Sequence, residues 1–165
     1  MNELLPKHQL RGNEENPYHL SIGQVVFNNQ GEIALIQKPV GGPAQTKGEV
    51  TLPRETAYSD ETFENCIQRG AESEIGITVA VTRFVGSQIT HFRGSVWRNP
   101  DVEIEKTTLY FLTRMTGTAE KDLTIDEVED EVIWRTPEDA IGLLKQCDNP
   151  EAEIVARIVE AISDK

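Results

Sequence analysis

The segment from residue 59 to residue 76 constrains the fold most, because it carries the clearest helical signal in the sequence. Ser59 is suited to cap a helix, and Asp60 and Glu61 follow it where the helix dipole favours anions. Gly76 is suited to end the helix in a left-handed conformation. Between these ends, apolar residues recur at helical spacing and make one stripe: Phe63, Cys66, Ile67 and Ala71. We therefore predict a single helix over residues 59–76 with one buried face.

Strand-like segments lie on both sides of this helix. Two apolar runs before it, 19–27 and 32–38, are joined by turn residues and predict a hairpin. Residues 39–48 are rich in glycine and proline and are predicted as a loop, followed by a short strand over 49–52. After the helix, further strands are predicted over 77–85, 87–91, 106–115 and 131–135, an exposed loop over 93–104, and helices over 137–146 and 150–162. This order predicts an α/β or α+β sandwich.

The length of 165 residues suits one domain. Residues 1–17 show no clear hydrophobic periodicity, and we predict that they form an N-terminal arm. Residues 18–165 contain no repeat, no low-complexity tract and no linker, so we expect them to form a single domain.

The charge balance limits the partners of this chain. Lys and Arg number 16 against 28 Asp and Glu, which gives a formal charge of −12. Nucleic-acid polymers and anionic membranes are held by excess basic residues, so neither is an expected partner. A small phosphorylated ligand is compatible with the charge, provided that a cation or a local basic cluster offsets the acidic background.

Cysteine usage and hydropathy indicate the compartment. Cys66 and Cys147 form no paired motif with other cysteines or histidines, so we expect neither a zinc site nor a disulfide framework. No apolar run approaches the roughly 20 residues that cross a bilayer. Residues 1–17 also lack the apolar stretch of a secretory signal. We therefore expect a soluble cytoplasmic protein.

A spaced pattern between Leu52 and Ile77 resembles the Nudix box. That family pattern is Gly, five residues, Glu, seven residues, Arg-Glu-aliphatic, one residue, Glu-Glu, one residue, Gly-aliphatic. In this register Glu61 takes the first Glu position, and Arg69 follows it after seven residues. Glu74 takes the last Glu position, and Gly76 and Ile77 close the pattern. The Leu-Pro pair at residue 52 also resembles the pair that commonly precedes the box.

The resemblance implies a fold and an activity. It covers most of residues 18–146, and it implies a Nudix-like α/β/α sandwich with a mixed β-sheet between helices. The implied reaction is hydrolysis of a diphosphate linkage in a nucleotide or related compound, with Mg²⁺ or Mn²⁺ as the cofactor. The implied partner is a small phosphorylated ligand. Because Nudix-like proteins are often dimers, the resemblance also implies a homodimer as the candidate oligomeric state.

The departures from the family pattern fall on the metal-binding face. Residues three and four apart share a helix face, so carboxylates at positions 70, 73 and 74 would form an oxygen-rich site for a hard cation. This chain has Gly70 and Ser73 there, and the first Gly position of the pattern holds Glu55. Glu74 alone remains of the three, and Glu72 points to another face. We therefore expect weak metal binding.

Gly70 has two interpretations. A glycine inside a helix costs roughly 1 kcal/mol relative to alanine, so its presence needs a reason. One interpretation is close packing, or drift after a ligand was no longer needed. The other is a reshaped pocket, in which Gly70 and Ser73 make room for a ligand or let another residue enter.

The resemblance also implies roles for individual residues. Glu61, Arg69 and Glu74 fall on catalytic-site positions, and Arg69 is expected to pair with Glu61 or a neighbouring carboxylate to fix the loop before the helix. Glu74 is the expected metal ligand, assisted by a glutamate from an acidic loop. The candidates for that second ligand are Glu103, Glu105, Glu127, Glu129 and Glu131, and we take Glu127.

Basic residues near the predicted site are candidates for phosphate contacts. We select Lys38, Arg54 and Arg93 as substrate-binding residues, with Arg98 and Lys106 as further candidates. Arg is favoured where a phosphate is held by two parallel hydrogen bonds. Two functions stay open at this point: a hydrolase of weak or altered activity, and a catalytically inactive Nudix-like module that binds a nucleotide, metabolite or protein.

Overall fold

The computed structural model describes residues 6–41, 46–93, 101–121 and 130–164. The strands are β1 (Tyr18–Phe27), β2 (Ile33–Gln37), β3 (Val40–Gly41), β4 (Thr46–Lys47), β5 (Val50–Thr51), β6 (Arg54–Thr56), β7 (Ile77–Arg93), β8 (Glu103–Thr118) and β9 (Glu131–Arg135). The helices are α1 (Phe63–Gly70), α2 (Pro137–Gln146) and α3 (Glu151–Ser163). A π-helical turn over Ala71–Ile75 continues α1, and a short 3₁₀ turn covers Pro6–His8.

A mixed sheet forms the centre of the molecule. Its order is β5-β2-β1-β8-β7, in which β1 and β8 are parallel and the other neighbours are antiparallel. Strand β9 adds to β2, and β6 adds to β1. The edge of β1 therefore has two partners: β2 near Phe27, and β6 opposite residues 21–23. Because β2 and β6 pair with different parts of β1, the sheet opens between them.

Helices cover both faces of this sheet. Residues of β2 alternate between two cores, with Ile33 and Leu35 on one side and Ala34 and Ile36 on the other. Helices α2 and α3 cover the first side, and α1 with its π turn covers the second. This arrangement is the α/β/α sandwich that the sequence predicts.

The helix predicted over residues 59–76 is shorter at its start than expected. Thr62 rather than Ser59 is the N-cap, because its side chain accepts a hydrogen bond from the Asn65 N–H at 3.1 Å. The Ser59 N–H instead donates to the His8 carbonyl at 2.8 Å. The predicted end is confirmed, since Gly76 adopts a left-handed φ of 76°.

Two further predicted boundaries differ from the structure. The segments 77–85 and 87–91 form one continuous strand, and a register shift between Phe84 and Gly86 accommodates the break. The loop predicted over 93–104 is shorter at both ends, because β7 runs to Arg93 and β8 begins at Glu103. Residues 94–100 lie outside the described part of the chain.

The residues before β1 pack along the domain. The Leu10 N–H donates to the Ala57 carbonyl at 2.8 Å, and the Leu10 carbonyl accepts from the Leu20 N–H at 2.9 Å. Leu10 also packs against the core on the α1 side. The predicted arm therefore lies between β1 and the segment that leads into α1. Among the described helices, none is long and apolar enough to span a membrane.

Candidate active site

An ion pair holds the turn before α1 against the end of that helix. The Arg69 Nη2 atom lies 2.6 Å from Glu61 Oε1, and Arg69 Nε lies 3.3 Å from Glu61 Oε2. Arg69 also donates to the Thr56 carbonyl at 2.8 Å, and its guanidinium stacks 4.9 Å from the Tyr58 ring centroid. The predicted pairing of Arg69 with Glu61 is therefore confirmed, and the pair fixes the loop between β6 and α1.

The charge of Arg69 is secured by these contacts. Burial opposes the charged guanidinium, but the hydrogen bond that Arg69 donates to Glu61 and the nearby carboxylate of Glu55 raise the pKa of Arg69 above its ordinary value. The same cluster keeps Cys66 protonated, because burial and the Glu61 charge raise the pKa of its thiol. Arg69 is thus a permanent cation, and Cys66 is a buried neutral thiol.

Glu55 occupies the space in front of Gly70. A Cβ atom added to Gly70 would lie 2.9 Å from the Glu55 Cβ atom, which is closer than real side chains approach. The Ser73 hydroxyl donates to Glu55 Oε2 at 3.4 Å, and Arg69 Nη1 lies 3.2 Å from Glu55 Oε1. Close packing therefore accounts for Gly70, and the residue that enters is Glu55.

A cavity of about 210 Å³ lies where the sheet opens between β2 and β6. The polar side chains that line it come from the arm, the sheet, the segment before α1 and the π turn: Arg11, His19, Ser21, Lys38, Thr51, Arg54, Glu55, Thr56, Glu74, Lys106 and Asp130. Of the helix positions 70, 73 and 74, Glu74 lines the cavity, whereas Gly70 and Ser73 contact Glu55 behind it. Glu72 is exposed and does not line the cavity.

Basic side chains outnumber acidic ones in this cavity. Four basic residues, Arg11, Lys38, Arg54 and Lys106, line it with three acidic residues, Glu55, Glu74 and Asp130. The cavity therefore does not share the excess of negative charge of the whole chain, which is −12. This local balance meets the condition under which a phosphorylated ligand fits an acidic protein.

Arg54 connects the cavity to a buried carboxylate behind it. Its Nε atom lies 3.5 Å from Glu151 Oε1, and its backbone N–H donates to Glu74 Oε2 at 3.2 Å. Burial opposes the charge of Arg54, but Glu151, Tyr110 and Glu74 outweigh it and raise the pKa of Arg54 above its ordinary value. Arg54 is therefore a fixed cation that also orients Glu74 through its backbone.

Asp130 is a buried carboxylate with only part of its bonding capacity used. Lys38 pairs with Asp130 Oδ2, and the Asp130 side chain is 8% exposed. Its Oδ1 atom is buried and has no hydrogen-bond partner among the described residues. A buried carboxylate oxygen without a donor is costly, so a donor or a cation in the cavity would stabilise it.

The predicted site residues fall into four groups. Glu61 pairs with Arg69 at the end of α1, and Glu74 lines the cavity together with Lys38, Arg54 and Lys106. Arg93 lies at the exposed end of β7 and is not a lining residue of this cavity. The predicted second ligand Glu127, like Glu129 and Arg98, lies outside the described residues. Glu103, Glu105 and Glu131 are placed on strands β8 and β9, outside the cavity lining.

The structure adds residues that sequence reasoning did not select. Arg11 comes from the arm, and Asp130 precedes β9. His19 is buried, with Nε2 3.1 Å from Ser21 Oγ and Nδ1 accepting from the Gly12 N–H at 3.4 Å. These three have no motif around them. Glu55 did carry a signal, because it stands where the family pattern has its first glycine.

The described residues offer only a few protein ligands for a divalent cation. No three His, Cys, Asp or Glu side chains converge on one point within the described ranges. Glu55 and Glu74 do line the same cavity, and Asp130 offers a buried oxygen that lacks a donor there. Mg²⁺ commonly keeps several waters and binds through one or two carboxylates plus phosphate oxygens. The residues present fit that mode, and they do not fit an all-protein cage.

Comparison with known families agrees with this fold. The model of the NUDIX domain family matches residues 17–158, which is most of the chain. No curated protein matches the sequence significantly. The family match shows that this chain belongs to the NUDIX family.

Solved structures share the fold at low sequence identity. The E. coli ORF135 protein is similar at a TM-score of 0.62 and 16% identity, over 90% of this chain and 93% of that one. The MutT protein from Methanosarcina mazei Go1 has a TM-score of 0.57 at 18% identity, over 92% and 97% of the two chains. The C. elegans Ap4A hydrolase has a TM-score of 0.61 at 17% identity, over 89% and 99%. These similarities establish the Nudix α/β/α sandwich.

Proposed function

We propose that this protein hydrolyses a diphosphate linkage in a nucleotide or a related phosphorylated compound with the help of Mg²⁺ or Mn²⁺. The observation that carries the proposal is the cavity where the sheet opens between β2 and β6. Its lining contains both carboxylates and basic side chains. A diphosphate needs such a mixture, because its oxygens take both basic side chains and a divalent cation. Family membership supports the same reaction class.

The basic side chains of the cavity bind and orient the ligand in this proposal. Lys38, Arg54 and Lys106 line one cavity within reach of a single small molecule. Arg54 is held by Glu151, so it presents its charge in a fixed direction. Arg11 extends the same basic surface from the arm. Fixed cations cost little reorganisation when charge develops on a phosphate, which is the main source of catalysis in such sites.

Glu74 is the proposed ligand of the cation, and its orientation is set by the Arg54 backbone N–H. The chemistry that a bound divalent cation supplies is neutralisation of phosphate charge and a more acidic water. Glu61 and Arg69 do not line the cavity. Their ion pair holds the β6–α1 loop and therefore positions Glu55 and Glu74 relative to each other.

A direct assay tests this function. The purified protein is incubated with Mg²⁺ or Mn²⁺ and a panel of nucleoside diphosphate derivatives and dinucleoside polyphosphates, and the products are separated and quantified. We expect turnover of at least one compound, and a loss of roughly a hundredfold in Glu74→Gln. Glu72→Gln is the matched control, since Glu72 is an exposed carboxylate on the same turn. Equal activity of Glu74→Gln and wild type would contradict the role of Glu74.

A second candidate is a catalytically inactive module that binds a nucleotide, a metabolite or a protein. It is favoured by Gly70 and Ser73 on the helix face that carries carboxylates in the family pattern. The same experiment separates the two functions. Saturable binding of a panel compound in the presence of a chelator, with no turnover under any metal, would support the module and reject the hydrolase.

A further inference from the structure

Glu55 is a carboxylate that lines the cavity and also contacts the end of α1. It lies on β6, directly before the loop that the Glu61–Arg69 pair holds. Its side chain is 21% exposed and lines the same cavity as Glu74. One of its oxygens faces Arg69 at 3.2 Å, and the other lies 3.4 Å from the Ser73 hydroxyl. The first oxygen also accepts a hydrogen bond from the Thr56 N–H at 3.0 Å, whereas the Ser73 contact of the second oxygen is long, so Oε2 retains bonding capacity.

The backbone at Gly70 leaves room for Glu55 alone. The Glu55 Cβ atom would be only 2.9 Å from a Cβ atom at position 70, so side chains at both positions exclude each other. Gln24 and Ser73 also contact this point, which fixes the spacing between β6 and α1. A carboxylate can therefore enter this space from position 55 or from position 70, but not from both.

A separate observation indicates that one carboxylate of the cavity has unused capacity for a donor or a cation. Asp130 is 8% exposed, lines the cavity, and carries one buried oxygen with no partner in the part of the chain that the structure describes. Lys38 satisfies only its other oxygen. A hydrated divalent cation would supply water donors or a direct bond to that oxygen, and Glu55 and Glu74 lie on the lining of the same cavity.

We propose that Glu55 is the second carboxylate ligand of the divalent cation, and that it replaces from the strand the carboxylate that Gly70 removes from the helix. Glu55 and Glu74 together hold the cation, and phosphate oxygens and water complete its coordination. The proposal shares with the proposed function only the assumption that a divalent cation binds at Glu74. It predicts that the cation binds weakly alone and more tightly when a diphosphate is present.

Binding of Mn²⁺, measured apart from catalysis, tests this proposal. Free Mn²⁺ is titrated by electron paramagnetic resonance against the full chain, with and without methylenediphosphonate, a diphosphate analogue that resists hydrolysis. We expect Glu55→Gln and Glu74→Gln each to raise the Kd of Mn²⁺ by roughly tenfold or more. Glu72→Gln should leave it within about twofold, because this exposed carboxylate does not line the cavity. Thermal unfolding of each variant verifies that the fold is retained.

An exchange variant gives the sharper result. Glu55→Gly combined with Gly70→Glu moves the carboxylate from the strand to the helix without placing two side chains in the same space. We expect this double variant to bind Mn²⁺ within about threefold of wild type, whereas Glu55→Gly alone should raise the Kd by roughly tenfold or more. If the double variant unfolds, the comparison of Glu55→Gln with Glu72→Gln still decides the question.

The outcomes separate this proposal from the proposed function. Unchanged Mn²⁺ affinity in Glu55→Gln, with lowered affinity in Glu74→Gln, would overturn the role of Glu55 and leave the hydrolase intact. Glu55-dependent Mn²⁺ binding without turnover of any compound would support Glu55 as a ligand and reject the hydrolase. No Mn²⁺ binding by wild type, with or without methylenediphosphonate, would overturn the role of Glu55.

Discussion

Glu151 and Asp130 are both buried carboxylates beside the cavity, but their surroundings differ. Glu151 is 1% exposed and accepts hydrogen bonds from the Leu52 N–H at 2.7 Å and the Tyr110 hydroxyl at 2.7 Å. It also accepts from Asn149 Nδ2 at 3.0 Å and lies near Arg54. Asp130, by contrast, pairs with Lys38 and has one oxygen without a described partner.

This difference indicates that Glu151 stabilises the fold, whereas Asp130 is available to bind a ligand. Glu151 begins α3 and fastens it to the strand region around Leu52, so its bonding capacity is used by the protein itself. Asp130 lines the cavity and keeps unused bonding capacity on its buried Oδ1 atom. A buried charge with all partners present supports the fold, whereas one with a missing partner is available to a ligand.

Removal of Glu151 should give the largest effect on stability. Glu151→Ala leaves the charge of Arg54 and three hydrogen-bond donors without their common partner, so we expect the free energy of unfolding to fall by about 3–5 kcal/mol. Urea unfolding followed by circular dichroism measures the change. Glu153→Ala is the matched control, because Glu153 is an exposed carboxylate in the same first turn of α3. A loss equal to that of the control would contradict the stabilising role.

At alkaline pH, the free energy of unfolding should depend on the ionisation of Tyr110. Burial and the Glu151 charge raise the pKa of Tyr110, so the folded protein keeps this phenol protonated above the pH at which the unfolded chain releases it. Unfolding then releases a proton, and stability falls as pH rises above about 10, by up to about 1.4 kcal/mol per pH unit. Burial also raises the pKa of Cys66, which adds a similar loss above about pH 9.

Phenylalanine substitutions isolate the tyrosine contribution. Tyr110→Phe should remove the part of the slope that begins near pH 10, although it also lowers stability at neutral pH by loss of the bond to Glu151. Tyr18→Phe should keep the wild-type slope, since Tyr18 is 62% exposed. Unfolding free energies between pH 7 and 11 measure both. A wild-type slope in Tyr110→Phe would show that other groups set the alkaline limit.

Asp130 should give the smallest effect on stability. Asp130→Asn keeps the shape of the side chain and removes a carboxylate with one oxygen that has no partner among the described residues. The variant also loses the ion pair with the partly exposed Lys38. We therefore expect the free energy of unfolding to change by less than about 1 kcal/mol. The same urea titration measures it. A loss as large as that of Glu151→Ala would place Asp130 among the stabilising groups and weaken the contrast between the two carboxylates.

The sequence predicts the local parts of the site well. Glu61 and Arg69 lie close along the chain, and the resemblance to the Nudix box implies their pairing, which the structure shows. Most strands and both terminal helices also follow from local periodicity. The predicted helix start is wrong because Ser59 and Thr62 are both suitable N-cap residues. The Ser59 N–H donates to the His8 carbonyl, and Thr62 caps the helix instead.

The parts that depend on distant residues could not be predicted. Leu52 and Glu151 are far apart in the chain, and only the packing of α3 brings them together. Asp130 meets Lys38 for a similar reason, through the pairing of β9 with β2. The departures at positions 55 and 70 were visible in the sequence, but their compensation depends on a distance between a strand and a helix.

The path of the chain before β1 has a consequence for ligand choice. Arg11 lies ahead of residue 17, where the family match begins, yet it lines the cavity. Two NUDIX chains with the same core and different leading segments would therefore offer a ligand different charges at this wall. The charge that this wall presents to a ligand can change through that segment, with no alteration to the π turn or the sheet.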